Sequence, residues 1–219
     1  MYWIAFGDIH ENTSMLDSIL ELESAEGVIV SGDITNSGGP DTAQRILNEI
    51  GQYNSQIYAQ IGNMDHEEII AHLDKSGLGI HRKVLELTDD ICIAGVGFST
   101  PTPFSTPSEI SEETLEGWLT ELEEGVAPYK YCIFVCHTPP LNTKTDSLGG
   151  GVHVGSPAVR SFIERIQPDI CITGHIHESR ATDTIGKTTI INPGMFSQGG
   201  YVRVDYKNNE LSARLETLA

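Results

Sequence analysis

Ile170-Cys171-Ile172-Thr173-Gly174-His175-Ile176-His177-Glu178 carries residues suited to a buried strand into a glycine and then two histidines at i and i+2. In extended backbone such side chains point the same way. Two imidazoles on one face at the end of an apolar strand are a metal-ligand arrangement. His-x-His also arises by chance, so the pair gains meaning only from partners elsewhere in the chain.

The N-terminal third supplies them. Met1 to Phe6 is a short apolar strand ending in Gly7-Asp8-Ile9-His10, an Asp and a His two apart. Asn12 or Thr13 is expected to cap a helix whose Met15, Leu16, Ile19 and Leu20 form one stripe. Gly27 to Ser31 repeats the theme: a buried strand, then Gly32-Asp33, then a helix with Ala43, Ile46, Leu47 and Ile50 inward and Gly51 at its C-terminal cap. The strand Gln56 to Ile61 leads to Gly62-Asn63-Met64-Asp65. A helix follows, with Glu67 and Glu68 in its first turn, where the dipole favours acids, and Gly77 at its end. A single Gly-Asp after a strand reads as a turn or a cap. Three successive strands that each end in glycine plus a ligand-type residue read as a site, because open α/β sheets bind ligands at the carboxyl ends of strands.

The second half has the same grammar. Arg82 to Leu87 and Asp90 to Gly97 read as a hairpin around Thr88-Asp89. Phe98 to Ile110, rich in Ser, Thr and Pro, is a loop long enough to suggest function. Ser111 caps a helix with Leu115, Trp118, Leu119 and Leu122 on one face. Tyr131 to Cys136 is a buried strand with His137 at its end. Thr138 to Gly155 is a long loop carrying Lys144, Gly149-Gly150-Gly151 and His153. Ser156 and Pro157 open the next helix. Three or four tail strands are expected, from Ala181 to Ile185, Lys187 to Ile191, Tyr201 to Tyr206 and Leu211 to Leu215. No repeat, linker or composition break divides the chain, so residues 1–219 read as one domain.

Composition bounds the partners. A net charge of −18 argues against generic nucleic-acid binding or an anionic membrane surface. No stretch reaches the roughly 18 apolar residues of a membrane helix, and no secretory signal pattern precedes the first motif. Cys92, Cys132, Cys136 and Cys171 all lie in apolar runs without a C-x-x-C, which reads as reduced, buried thiols in a cytoplasmic protein.

Asp8, His10, Asp33, Asn63, His137, His175 and His177 all follow expected strands. If those strands share one sheet edge, all seven side chains converge. Mixed nitrogen and oxygen donors suit Mn, Fe, Zn, Ni or Co better than Ca or Mg. Seven donors exceed one tetrahedral ion but fit two ions sharing a carboxylate, the clamp of phosphoryl-ester hydrolysis with ions about 3.5–4 Å apart.

The ordered blocks Gly7-Asp8-Ile9-His10, Gly32-Asp33, Gly62-Asn63-Met64-Asp65, His137 and Gly174-His175-Ile176-His177 resemble the calcineurin-like metallophosphoesterases, from residue 7 to about residue 194. The resemblance implies an α/β fold, a four-layer α/β/β/α sandwich of two mixed sheets flanked by helices. It implies that Asp8, His10 and His177 hold one divalent ion, that Asn63, His137 and His175 hold a second, and that Asp33 bridges them. Many members carry a histidine where this chain has Met64, usually taken as the acid that protonates the leaving group. Methionine has no titratable proton. His153 is the candidate substitute, as acid or phosphate contact, and Asn63 is a second candidate for touching phosphate; His66 reads as a surface residue, and Lys144 and Arg180 are further candidates for meeting a phosphate.

The expected activity is hydrolysis of phosphodiesters by a metal-bridging hydroxide, on a small phosphoester substrate. The alternatives are a small-molecule phosphomonoesterase, or a non-catalytic scaffold on the same fold, as in the retromer subunit, which lacks part of the ligand set. A homo-oligomer is compatible with these residues, which do not specify the oligomeric state.

Overall fold

A computed structural model describes residues 1–218. In chain order the strands are β1 (Tyr2–Phe6), β2 (Gly27–Val30), β3 (Ile57–Ala59), β4 (Lys83–Thr88), β5 (Ile91–Val96), β6 (Tyr131–Cys136), β7 (Ser147–Gly149), β8 (Val152–His153), β9 (Ile170–Ile172), β10 (Ala181–Ile185), β11 (Thr188–Asn192), β12 (Gly200–Lys207) and β13 (Glu210–Thr217). The α-helices are α1 (Pro40–Gly51), α2 (Glu68–Lys75), α3 (Glu112–Val126) and α4 (Pro157–Ile166).

The long strands form two sheets, in the orders β13-β12-β1-β2-β3 and β10-β11-β9-β6-β5-β4. β1, β2 and β3 run parallel, as do β5, β6, β9 and β11, while β12, β13, β10 and β4 join antiparallel. Alternation divides the apolar residues between three cores. Trp3, Ala5 and Ile29 meet Ile91, Ile93, Ile133, Val135 and Ile172 between the sheets. Ile4, Phe6, Val28 and Val30 pack on Ile46, Leu47 and Ile50 of α1. Cys92, Phe134 and Cys171 pack on Leu119 of α3 and Phe162 of α4. Strands covered on both faces must be apolar throughout, which is why their sequences read as continuous runs. The layering is therefore α/β/β/α, as the resemblance implies.

All four cysteines are buried and free. Ser111 and Ser156 cap α3 and α4 through backbone N–H groups of Thr114 and Val159. No helix among the described residues is long and apolar enough to cross a membrane.

Two local expectations are corrected. No α-helix follows Asn12 and Thr13; two 3₁₀ turns stand there, Leu16–Ser18 and Leu22–Ser24. Leu16, Ile19 and Leu22 are buried while Leu20 is 88% exposed. The buried spacing is three, the period of a 3₁₀ helix rather than an α-helix, and the Asn12 side chain accepts from Ser14 N–H in a local turn. The stretch Thr138 to Gly155 is likewise more regular than a loop. It holds a 3₁₀ turn, Lys144–Asp146, and the ribbon β7–β8. Gly149, Gly150 and Gly151 turn that ribbon with φ of 83°, 60° and 82°, a left-handed path that glycine adopts without steric cost.

Candidate metal centre

The seven residues come from both sheets rather than from one sheet edge. Asp8 and His10 follow β1, Asp33 follows β2 and Asn63 follows β3; His137 follows β6, while His175 and His177 follow β9. The backbone is not extended at four of these positions. Asp8, His10, Asp33 and His175 have φ of 48°, 48°, 50° and 69°. Left-handed non-glycine residues are uncommon, and they cluster where a site requires a particular side-chain direction.

That twist separates the His-x-His pair, so the two imidazoles do not share a face. His177 Nε2 turns to His10 Nε2 at 3.1 Å and Asp8 Oδ1 at 3.2 Å. His175 Nδ1 turns instead to Asn63 Oδ1 at 2.7 Å, and His137 Nε2 approaches the same oxygen at 3.0 Å. Asp33 Oδ2 lies between the groups, 3.7 Å from His10 Nε2 and 3.5 Å from His137 Nε2.

The donor set fits divalent cations. Donor atoms sharing an ion bound at about 2.0–2.2 Å stand roughly 3 Å apart, the spacing seen in both groups. Atoms of Asp8, His10, Asp33 and His177 all lie within 4.8 Å of one another and can hold one ion. The surroundings aim the nitrogens. His10 Nδ1 donates to Asn36 Oδ1 at 3.0 Å and His137 Nδ1 donates to the Ser31 carbonyl at 3.1 Å, which leaves each Nε2 facing the cluster. Without an ion, the same groups answer one another's charge. Asp8 and Asp33 are buried carboxylates. Burial pushes Asp33 up, but His137, His10 and the Met64 N–H more than offset this and hold it at about 2. Burial opposes charge on His137, yet Asp33 lifts it to about 9, while burial and the neighbouring His137 push His175 down to about 4.

Asp65 braces the Asn63 loop and also ties it to the Asp33 loop. Its carboxylate accepts from Gly62 N, Ile34 N and Thr35 N at 3.0, 3.0 and 2.7 Å, and from Thr35 Oγ1 at 2.8 Å. Gly62 is needed for close approach: a Cβ there would stand 2.2 Å from Asp33 Oδ1 and 2.6 Å from His137 Cε1.

Sequence reasoning missed the group that orients Asn63. Asn63 Nδ2 donates to Thr106 Oγ1, and Glu109 Oε1 accepts from both the hydroxyl and the backbone N–H of Thr106. The available signal was Thr106-Pro107-Ser108-Glu109, an S/T-x-x-E pattern whose acid reaches back to the Thr backbone.

A cavity of about 900 Å³ opens on His10, Asp33, Asn63, His175 and His177. Thr100 to Pro107 line one wall, with Met64, Leu148, Val154 and Met195 elsewhere. His153 is not among the lining residues. Its Nδ1 is held by buried Asp146 at 2.7 Å, so the structure does not bring it to the cluster. Lys144 is not in the lining either, and Arg180 lies in an adjoining cleft with Gln198. His66 is exposed, ahead of α2.

The family model for calcineurin-like phosphoesterases matches residues 1–179. The chain belongs to that family. An uncharacterized protein of Methanocaldococcus jannaschii is 37% identical over 84% of this chain and 83% of its own. Among solved structures, a Thermus thermophilus protein superposes with a TM-score of 0.74 at 17% identity, over 100% of this chain and 99% of that one. A dimetal phosphatase of Danio rerio gives 0.65 at 11% identity, over 100% and 99%. At those identities the structures show the shared fold. Family and site together make this calcineurin-like chain a metal-dependent phosphoesterase with a candidate metal site.

Proposed function

We propose that the chain hydrolyses phosphodiesters at a centre of two divalent transition-metal ions. One ion is assigned to Asp8, His10 and His177, the other to Asn63, His137 and His175, with Asp33 shared. The observation that carries this reading is Asp33 Oδ2, at 3.7 and 3.5 Å from one imidazole nitrogen of each group. A single ion would leave one group without a charge to answer its donors.

Bound there, the ions would make water nucleophilic near neutral pH and offset charge on the phosphoryl oxygens. The residues have their own tasks. Asp8 and Asp33 neutralise the cations. Asp65 and the Met64 N–H keep Asp33 in position. The Thr106 contact holds Asn63 with its oxygen inward. His153, the candidate substitute for the acid absent at Met64, is turned to Asp146 and is not in the lining.

A diester is favoured over a monoester by charge. The monoester dianion asks for more positive charge than the monoanionic diester, and the lining contains neither Lys nor Arg. The test is metal analysis after Mn loading, followed by turnover of a bis-nitrophenyl phosphate against a nitrophenyl monoester. Uptake of one ion per chain or fewer, or a higher kcat/KM for the monoester, would overturn the respective half of the reading.

A further inference from the structure

Exposed apolar side chains are concentrated at the cavity. The large hydrophobic residues left in solvent among the described residues are Met1, Leu20, Phe104, Leu148, Val152 and Val154, and three of these six line the space beside the candidate metal centre. Phe104, at the tip of the Thr100–Pro107 wall, is 82% exposed. Exposing an aromatic ring on a loop tip costs hydration free energy, and patches of this kind mark binding sites. The same wall carries Pro101, Pro103 and Pro107, whose fixed φ lowers the entropy lost when the loop holds a ligand.

Two hydroxyls of that wall are turned to one carboxylate. Thr102 Oγ1 and Thr106 Oγ1 both donate to Glu109 Oε1 at 2.6 Å, and the Phe104 N–H donates back to Thr102 Oγ1 at 3.1 Å. Those bonds occupy the two hydroxyls, and Pro101, Pro103, Phe104 and Pro107 of the same wall line the cavity. Apart from the candidate metal ligands, the one charged residue in the lining is Glu178, an acid. Arg180, in the adjoining cleft, donates to the Gln198 carbonyl at 3.1 Å. Beyond the metal centre, then, the cavity offers mainly apolar surface, a few uncharged polar groups and one negative charge.

We propose that this cavity selects a phosphodiester whose non-leaving organic group is apolar and uncharged, an aromatic or aliphatic group seated against Phe104, Leu148 and Val154, and that it discriminates against substrates with a second anionic group. The inference rests on the hydrolase reading above. Apolar burial rewards the first class without help from hydrogen bonds. Glu178 and the chain's negative charge penalise the second, with no Lys or Arg in the lining to offset them.

The test holds the leaving group constant. The 4-nitrophenyl diesters bearing a methyl, a phenyl or a 4-carboxyphenyl group are compared on the Mn-loaded protein. The phenyl diester is expected to exceed the methyl diester in kcat/KM by about tenfold or more, and the carboxyphenyl diester to fall at least tenfold below the phenyl. Calorimetry with the phenyl and 4-carboxyphenyl monoesters of methylphosphonic acid gives the same comparison as a ratio of Kd. Phe104→Ala should shrink the phenyl-to-methyl ratio, and Phe104→Arg should raise the carboxyphenyl diester relative to the phenyl, both at unchanged metal content. Metal uptake with equal turnover of all three diesters and equal Kd would overturn this inference and leave the hydrolase reading standing. A protein that takes up no metal and turns over none of them would overturn both.

Discussion

Asn63 Nδ2 donates to Thr106 Oγ1 across 3.0 Å. The Thr106 hydroxyl proton is itself committed to Glu109, so the oxygen presents a lone pair to Asn63 and accepts only the amide's nitrogen end. That interaction fixes the side-chain orientation and turns Oδ1 toward His137 and His175. Burial opposes ionisation of Glu109, but hydrogen bonds from Thr102 and Thr106 hold it at about 2, so it remains an acceptor throughout the working pH range. Removing an orienting partner outside the ligands costs about 10–100-fold in metal affinity. Thr106→Val is therefore expected to weaken one of two Mn sites by that factor and spare the other. A two-site calorimetric isotherm identical to wild type would show that Asn63 orients without help.

Asp33→Asn should be more damaging than His10→Gln. Asp33 faces both groups, whereas His10 faces one. The expected outcome is loss of both ions for Asp33→Asn and of about one for His10→Gln, read by elemental analysis after gel filtration. Activity on a nitrophenyl diester should fall further in the first variant. Equal metal content and equal activity in the two would remove the bridging assignment.

Gly62→Ala places a methyl group where Asp33 Oδ1 and His137 Cε1 already stand. Overpacking of this kind costs about 1–3 kcal/mol. The variant should melt lower than wild type and show a smaller rise in Tm on adding Mn, since stabilisation by a bound ion follows its affinity. An unchanged metal-induced rise would mean that the loop relaxes away from the cluster.

His81 predicts an acid-sensitive core. Burial, and then Arg82, pushes its imidazole down to about 4, and its Nδ1 accepts from the Gly97 N–H at 3.1 Å between the rings of Phe98 and Trp118. A protonated Nδ1 cannot accept. The folded pKa lies below the unfolded value of about 6.5. This stabilisation is therefore complete above pH 6.5 and declines as pH falls toward 4, where the loss reaches about 3 kcal/mol. His81→Asn retains an acceptor near Nδ1 but does not titrate. Its denaturation midpoint should depend less on pH across that window, and parallel pH profiles would contradict the assignment.

Met64 lines the cavity, and its backbone N–H donates to Asp33 Oδ1 at 2.8 Å, so a change of side chain leaves that anchor in place. A positioned acid contributes about 10²–10⁴-fold, most for basic leaving groups. Met64→His is expected to raise turnover of alkyl-leaving diesters by about 10²-fold while barely changing nitrophenyl turnover. His153→Ala should leave the dependence on leaving-group pKa unaltered, because His153 is held by Asp146 away from the lining. A steeper dependence in His153→Ala would bring that residue back as the acid.

The sequence by itself determined the strands of the two large sheets, though not the β7–β8 ribbon, and the seven candidate ligands. Continuous apolar runs such as Tyr131 to Cys136 can only be strands or helices buried on every side, and a polar residue straight after such a run has few places to go but a site. The cap residues Ser111 and Ser156 were legible for a similarly local reason, since a helix N-terminus needs an acceptor within three residues. Tertiary structure decided how those residues are shared. The direction of His175 depends on a left-handed φ that its sequence neighbours do not impose, so the pair reads as one-faced in extended backbone and diverges in the fold. The contact between Thr106 and Asn63 spans 43 residues, and no local pattern encodes a hydrogen bond between two loops. His153 looks free in the sequence, and only the folded ribbon reveals the buried carboxylate of Asp146 beside it. Local interactions leave periodic traces in the chain; the aim of a side chain across a site is set by contacts between segments that meet only on folding.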